Sequence, residues 1–224
     1  MIEPEHVSTT REAYDGTADV YVQYIGTEIS ASIEADLDRS LLEAFVGRVG
    51  AAPAESVAGS VADVGCGPGR VAAFLAARGL DVVGFDVSRS MLDLGRAAHP
   101  GVRFDEGLLT RLPVPDHSLV GAVCWYSIIH TPPELLDEVA AELARVLVPV
   151  APLLVAFQAG RGEALHRTEV LGRPVSLTSY RHDPLDVARR LAAGGFEVDQ
   201  PVVRAAVGEH ESTPQAFISA RAGE

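Results

Sequence analysis

The chain has 224 residues, 47% hydrophobic and 22% charged, proportions that bury a full core and leave no room for a long disordered tail. Asp and Glu outnumber Lys and Arg by 31 to 18, a formal net charge of -13, so the surface field repels phosphate backbones and anionic headgroups and argues against nucleic acid as a partner. Two cysteines, Cys66 and Cys124, are too few for a disulfide framework, residues 1–6 lack the basic flank and apolar run of a secretory signal, and the longest apolar run, Val146 to Phe157, is twelve residues against the roughly 20 that cross a bilayer. The expectation is one cytoplasmic domain over residues 1–224, without a membrane partner.

From Ile29 onward, Ile33, Leu37, Leu41, Leu42, Phe45, Val46 and Val49 recur at three- and four-residue steps, which predicts an amphipathic helix. Residues 1–50 are read as an N-terminal helical cap over one edge of the core. After the break at residues 50–53, a buried strand is predicted over 56–64, closing on a glycine-rich turn. Pro68 then opens a helix that runs to about Arg78 and stops at Gly79. Asp81 to Asp86 reads as a strand, Ser88 as the N-cap of a helix through about Ala98, Gly101 to Asp105 as a short strand and Leu119 to Ile129 as a longer one. Thr131-Pro132-Pro133-Glu134 has capping-box spacing, and the stripe Leu135, Leu136, Val139, Leu143, Val146, Leu147 predicts the helix that follows.

Leu153 to Phe157 is the next strand, and residues 158–182 read as an irregular segment that would serve as a substrate lid. Asp183-Pro184 opens a helix through about Ala193, Gly194-Gly195 ends it, and Phe196–Val203 and Gln215–Arg221 close the chain as two strands. Strand and helix alternate. The fold class is therefore α/β, a doubly wound, mainly parallel seven-stranded sheet with helices on both faces and right-handed connections.

In such a sheet ligands sit at the carboxyl ends of the strands. Gly65, Gly67 and Gly69 in Asp63-Val64-Gly65-Cys66-Gly67-Pro68-Gly69 let a ligand approach the main chain. Asp86, twenty-one residues beyond Gly65, stands at the end of the second strand, where a carboxylate accepts both ribose hydroxyls. The pair points to a nucleoside. A dinucleotide fingerprint would carry its third glycine at position 70, where this chain has Arg70, so the spacing leans away from a nicotinamide cofactor.

These residues resemble the class I methyltransferases from about Tyr14 to the C-terminus. Asp63 to Arg70 looks like the family's first motif and Val83-Gly84-Phe85-Asp86-Val87-Ser88 like its second. Leu112-Pro113 and Ser127-Ile128-Ile129-His130 resemble later blocks, and Tyr14-Asp15 with Ala18 and Tyr21 resembles the N-terminal segment that closes over the cofactor. The resemblance implies S-adenosylmethionine as cofactor. Gly65 and Gly67 would approach its methionine half, Asp86 with Val87 beside it would hold the ribose, and the main chain near Cys124 would accept from the amino group. Asp63 would act through the ammonium or a bridging water, or serve as a buried acid capping the loop. Tyr14 and Tyr21 would close the site, and Arg70 would pair with the cofactor carboxylate or point to water.

The chain departs from the family after Gly107, where an acid that bonds the adenine amino group is replaced by Leu108, with Leu109 next; their amides would face the ring edge instead. Pro149-Val150-Ala151-Pro152 stands where relatives have Pro-Gly-Gly, and because valine is costly at positive φ the turn is expected to avoid that conformation.

A sulfonium methyl group is already electrophilic, so the protein has to align the acceptor and exclude water. A base helps only with a hydroxyl or a protonated amine. His130, just past the fourth strand, and His166, in the 158–182 segment, are the candidates; a helix-cap histidine and a solvated loop histidine are the competing readings. No acid or histidine cluster has metal spacing, and the signature of amino methyltransferases acting on nucleic acids is missing after strand four. The expected activity is metal-independent methyl transfer to a small-molecule acceptor at oxygen or nitrogen. The alternatives are an NAD(P)-dependent oxidoreductase and a catalytically silent member that binds cofactor or a partner.

Overall fold

The computed structural model describes residues 4–51, 59–208 and 210–224. Apolar runs too short for helices form five parallel strands: β1 (Ser60–Val64), β2 (Val82–Asp86), β3 (Arg103–Glu106), β4 (Leu119–Trp125) and β5 (Pro152–Gln158). Every residue of β2 and β4 is buried, as expected of strands covered on both faces. β10 (Gln215–Ala222) inserts antiparallel between β5 and β8 (Phe196–Val198), giving the order β3-β2-β1-β4-β5-β10-β8. A short β9 (Val202–Arg204) pairs with the same edge of β10, so the closing segment expected as one strand is two. Pro201 lies between them and has no N–H to continue a ladder. The first residues of the strand expected over 56–64 lie outside the described residues.

Side chains alternate along the strands, apart from a register shift at Val120 in β4, where Ser60 pairs with Leu119 and Val61 with Gly121, and that pattern assigns the helices. Ala62, Val64, Ala122, Cys124, Leu153, Val155 and Phe157 face a layer formed by α5 (Leu136–Val146) and α6 (Pro184–Ala193). Val61, Val120, Val123, Trp125, Leu154 and Ala156 face the opposite layer, where α2 (Asp36–Gly50) and α3 (Arg70–Ala76) contribute Leu42, Phe45, Val49, Val71 and Leu75. α4 (Arg89–Ala98) follows β2 with Ser88 as its N-cap, the hydroxyl accepting from the Met91 N–H at 3.2 Å. The cap is α1 (Glu5–Ile25) and α2; the stripe from Ile29 is helical only from Asp36.

Three local expectations fail. The Thr131–Glu134 box does not form: Pro132 is held extended before Pro133, residues Pro133–Leu135 make a single 3-10 turn, and α5 starts at Leu136 without a side-chain cap. α3 begins at Arg70 rather than Pro68, because Gly69 sits in the left-handed region at φ 83. Val150 does adopt positive φ, 60°. Its N–H donates to Ala222 O (3.0 Å), and Ala222 N–H returns a bond to Ala151 O (2.9 Å), so sheet closure by β10 holds the turn against the valine's preference.

Residues 158–182 are not irregular. β6 (Glu163–Val170) and β7 (Arg173–Arg181) form an antiparallel hairpin separate from the main sheet. Its two-residue turn, Leu171 at φ 51 and Gly172 at φ 76, is of the mirror-image kind whose twist suits a hairpin. Leucine at the first turn position, where asparagine or aspartate usually stands, hides that signal. The hairpin packs on α1, where Arg173 pairs with Asp19 at 2.9 Å.

Val150 is half exposed, so little burial is lost when its side chain is removed. Val150→Gly is expected to raise the unfolding free energy by about 1 kcal/mol, the usual cost of left-handed backbone, measured by urea denaturation.

Candidate active site

The glycine turn is tied to the neighbouring strand before any ligand arrives. Gly65 and Cys66 both donate to Phe85 O, at 2.7 and 2.9 Å, and Gly65 and Gly67 hold φ 74 and 53. A Cβ at Gly65 would lie 2.2 Å from Ser127 Cβ, so this position admits no side chain. The Asp86 carboxylate spans the gap: Oδ2 accepts from Gly67 N–H and Oδ1 from Ser88 N–H, both at 2.8 Å. Asp63 caps the next helix by accepting from Ala72 N–H at 2.9 Å. Its second oxygen, Oδ1, is buried with no partner among the described residues. Burial pushes the Asp63 carboxyl up to about 7 and raises that of Asp86 as well.

Both acids line a cavity of about 160 Å³ at the carboxyl ends of β1, β2 and β4. Val87, Leu108 and Leu109 form its far wall. A backbone pair fixes the two leucines, with Leu108 N–H donating to Arg111 O (3.2 Å) and Arg111 N–H to Leu108 O (2.9 Å). From α1, His6, Val7, Thr10, Tyr14 and Tyr21 close the top. Steps of four (6, 10, 14) and seven (7, 14, 21) put these five on one helical stripe. That spacing is the signal by which His6, Val7 and Thr10 could have been found in the sequence.

Tyr14, Tyr21, Trp125, Tyr126, Ile129 and His130 divide this cavity from a second one of about 410 Å³ beneath the hairpin. The rings interlock, with Tyr14 edge-on to Tyr21 at 5.7 Å and to His130 at 5.4 Å. His130 Nδ1 lies 2.8 Å from Thr178 O and Nε2 lies 2.9 Å from the Tyr14 hydroxyl. A carbonyl only accepts, so Nδ1 carries the proton, and neutral Nε2 accepts from Tyr14. Burial lowers the His130 pKa to about 4 and raises that of Tyr14 well above its ordinary value. At neutral pH the pair is uncharged. Tyr126 has left-handed backbone, φ 58, and the Trp125 Nε1, Tyr126 hydroxyl and Ser127 hydroxyl are buried without partners among the described residues. Backbone strain and unpaired polar atoms gather here, at the end of β4.

Three residues singled out in the sequence are placed differently. Cys124 is fully buried within β4 and is not in the cavity lining; the strand ends at Trp125, short of the Ile129 expected, and Trp125, Tyr126 and Ser127 stand at the mouth. Arg70 is not solvated: it lines both cavities while lying buried, paired with Glu34 and donating to Glu28 O at 3.2 Å, and so fastens the segment after α1 to α3. His166 pairs across the hairpin with Thr178 and faces outward, whereas Arg167, Val175, Leu177 and Ser179 face the second cavity. Strand alternation sends neighbouring residues to opposite sides.

Fold and site together define an α/β domain that offers two acids and a glycine turn to a nucleoside-like ligand. Residues 61–150 match the family described as a methyltransferase domain. A curated relative, the methyltransferase GfsG of Streptomyces halstedii, is 38% identical over 109 residues, covering 46% of this chain and 38% of that protein; the chain thus spans well under two thirds of that relative's length. Among solved structures, the fold matches the [4+2]-cyclase SpnF with a TM-score of 0.71 at 16% identity, covering 100% of this chain and 98% of that one. It also matches a Burkholderia thailandensis 1,6-didemethyltoxoflavin-N1-methyltransferase, solved with its substrate and S-adenosylhomocysteine, with a TM-score of 0.69 at 19% identity and coverage of 100% and 92%. Over residues 61–150 the chain is thus similar to a methyltransferase domain, and its overall fold is one shared with a methyltransferase solved with S-adenosylhomocysteine.

The buried acids make stability depend on pH. Below the unfolded-state pKa of about 4 Asp63 is protonated in both states and burial costs little. As pH rises to about 7 the unfolded chain ionises freely while the folded one resists, so stability falls across that window. Asp63→Asn keeps an oxygen for Ala72 N–H and removes the titration. Its loss of stability between pH 5 and 8 is expected to be smaller than that of the wild type by on the order of 2 kcal/mol, measured by denaturation at the two pH values.

Proposed function

We propose that the protein transfers a methyl group from S-adenosylmethionine to a small-molecule acceptor, at oxygen or nitrogen. The observation that carries this reading is the buried, unpartnered Asp63 Oδ1 in the same cavity as Asp86 and the Gly65–Gly67 cradle. Two buried acids, with Arg70 in the same lining already paired to Glu34, suit a ligand that bears positive charge and ribose hydroxyls. Bound there, S-adenosylmethionine supplies an electrophilic methyl group on a sulfonium.

Gly65 and Gly67 admit the methionine half, Asp63 receives its ammonium, and Asp86 receives the ribose hydroxyls on the lone pairs left by Gly67 and Ser88. Val87, Leu108 and Leu109 enclose the base, and Tyr14 and Tyr21 exclude water from above. Trp125 and Tyr126 wall the boundary with the larger cavity, and aromatic faces there suit a cation. The larger cavity holds the acceptor. His130, neutral and bonded on both nitrogens, positions Tyr14 rather than acting as a base near neutral pH. The chain works as a single domain, with α1 and the β6–β7 hairpin as the two halves of its roof.

The acceptor class is supported by the small-molecule substrate of the toxoflavin methyltransferase. The net charge of -13 supports a cytoplasmic protein that binds neither nucleic acid nor anionic membrane. No helix among the described residues is long and apolar enough to cross a membrane. The GxGxG spacing followed by Arg70 and the family match leave the nicotinamide reading without support.

Two measurements check the proposal. S-adenosylmethionine is expected to raise the melting temperature and NADH to leave it unchanged; the reverse result sinks the reading. Asp86→Ala should weaken S-adenosylhomocysteine binding by about 1–3 kcal/mol in calorimetry, with unchanged circular dichroism as the folding control, and equal affinity would remove Asp86 from the site.

A further inference from the structure

The larger cavity lies between the Tyr14–His130 wall and the inner face of the hairpin. Most of its charges are already matched. Glu34 holds Arg70, while Asp38 and Glu211 both hold Arg204 at 2.5 Å. Two charged side chains remain, Arg167 and Glu169 on β6, and among the described residues neither makes an ion pair. A bulge between them staggers their positions along the strand. Arg167, exposed on its outer side, lines this cavity together with Tyr14 and His130. The rest of the lining combines aromatic and apolar side chains, among them Tyr24, Trp125, Val175 and Leu177, with the polar Thr17, Gln158, Ser179 and Gln215.

The histidines at this cavity offer little help in removing a proton. His130 Nε2 accepts from Tyr14 and its basicity is depressed by burial, and His210 Nε2 lies 3.0 Å from Ile33 O, where it donates. An acceptor that relies on a histidine base is poorly served, and the carboxylate left in the lining is Glu169, next along the strand from the bulge beside Arg167. One whose hydroxyl ionises readily, beside a guanidinium and opposite a sulfonium, needs no base.

We infer that the acceptor is a mainly apolar, ring-bearing molecule with an acidic hydroxyl, of the phenol or enol class, bound as its oxyanion against Arg167, and that Arg167 sets this specificity. The inference rests on the methyl-transfer reading above. The hydroxyl proton leaves to water on binding. An oxygen lone pair then forms the C–O bond as the carbon–sulfur bond breaks with its electrons kept by sulfur, so the positive and negative charges disappear together.

The test uses two probes of similar shape, a nitronaphthol, whose phenolate absorbs visible light, and naphthylamine, each added to the full chain with S-adenosylhomocysteine. In the wild type the bound nitronaphthol should ionise at lower pH than it does free, and it should bind more tightly than naphthylamine. Arg167→Leu should abolish the shift and weaken nitronaphthol binding roughly tenfold, Arg167→Lys should keep most of both, and S-adenosylhomocysteine affinity should not change in either. An unchanged ionisation in Arg167→Leu, tighter binding of naphthylamine, or no binding of nitronaphthol to a chain that holds S-adenosylhomocysteine overturns the inference and leaves the cofactor reading intact. Failure to bind S-adenosylhomocysteine overturns the cofactor reading itself.

Discussion

The Asp86 carboxylate bridges the two halves of the site, and the rest of the cleft depends on it. Its oxygens join Gly67 on the turn after β1 to Ser88 at the start of α4, so the first and second crossovers of the sheet are locked at a fixed separation. Asp63 does the same one strand over, fixing α3 through Ala72. Both acids are buried, where ionised carboxylates are costly unless bonded. Asp86 has a backbone donor on each oxygen, whereas Asp63 keeps one oxygen unmatched.

The roof over the cleft comes from two segments far apart in the chain. α1 lays its stripe of His6, Thr10, Tyr14 and Tyr21 across the mouth, and the β6–β7 hairpin buttresses it through Arg173–Asp19 and through Thr178 O, which orients His130 beneath Tyr14. The tautomer of His130 follows from a carbonyl on the hairpin, and the orientation of the Tyr14 hydroxyl follows from that tautomer. This chain of contacts couples the cavity beneath the hairpin to the cleft that Asp63 and Asp86 line. It also explains why a histidine that looks in the sequence like a base serves in the structure as a fixed acceptor. Two bonded nitrogens and a buried ring keep it neutral across the range in which an enzyme base would titrate.

Arg70 shows how one residue can mislead when read along the chain alone. Its place in the first turn of α3 suggests an arginine open to the ligand, yet Glu34, thirty-six positions earlier, takes its guanidinium. The pair fastens the segment between α1 and α2 to the sheet. Removing either partner would leave a buried charge uncompensated, a larger cost than the pair's own net contribution.

The sequence by itself determined the α/β order, the five parallel strands, the glycine turn and Asp86, because each is written in local terms: apolar runs of strand length, glycines at positive φ, and an acid at a fixed spacing. Tertiary structure alone decided the hairpin, whose turn carries Leu171 in place of asparagine, the outward aim of His166, the withdrawal of Cys124 into β4, and Val150 held at positive φ by β10. Those outcomes depend on partners distant in sequence. Backbone bonds to a neighbouring strand can outweigh a residue's own conformational preference, and which way a side chain faces follows from a pairing register that spacing along one chain does not express.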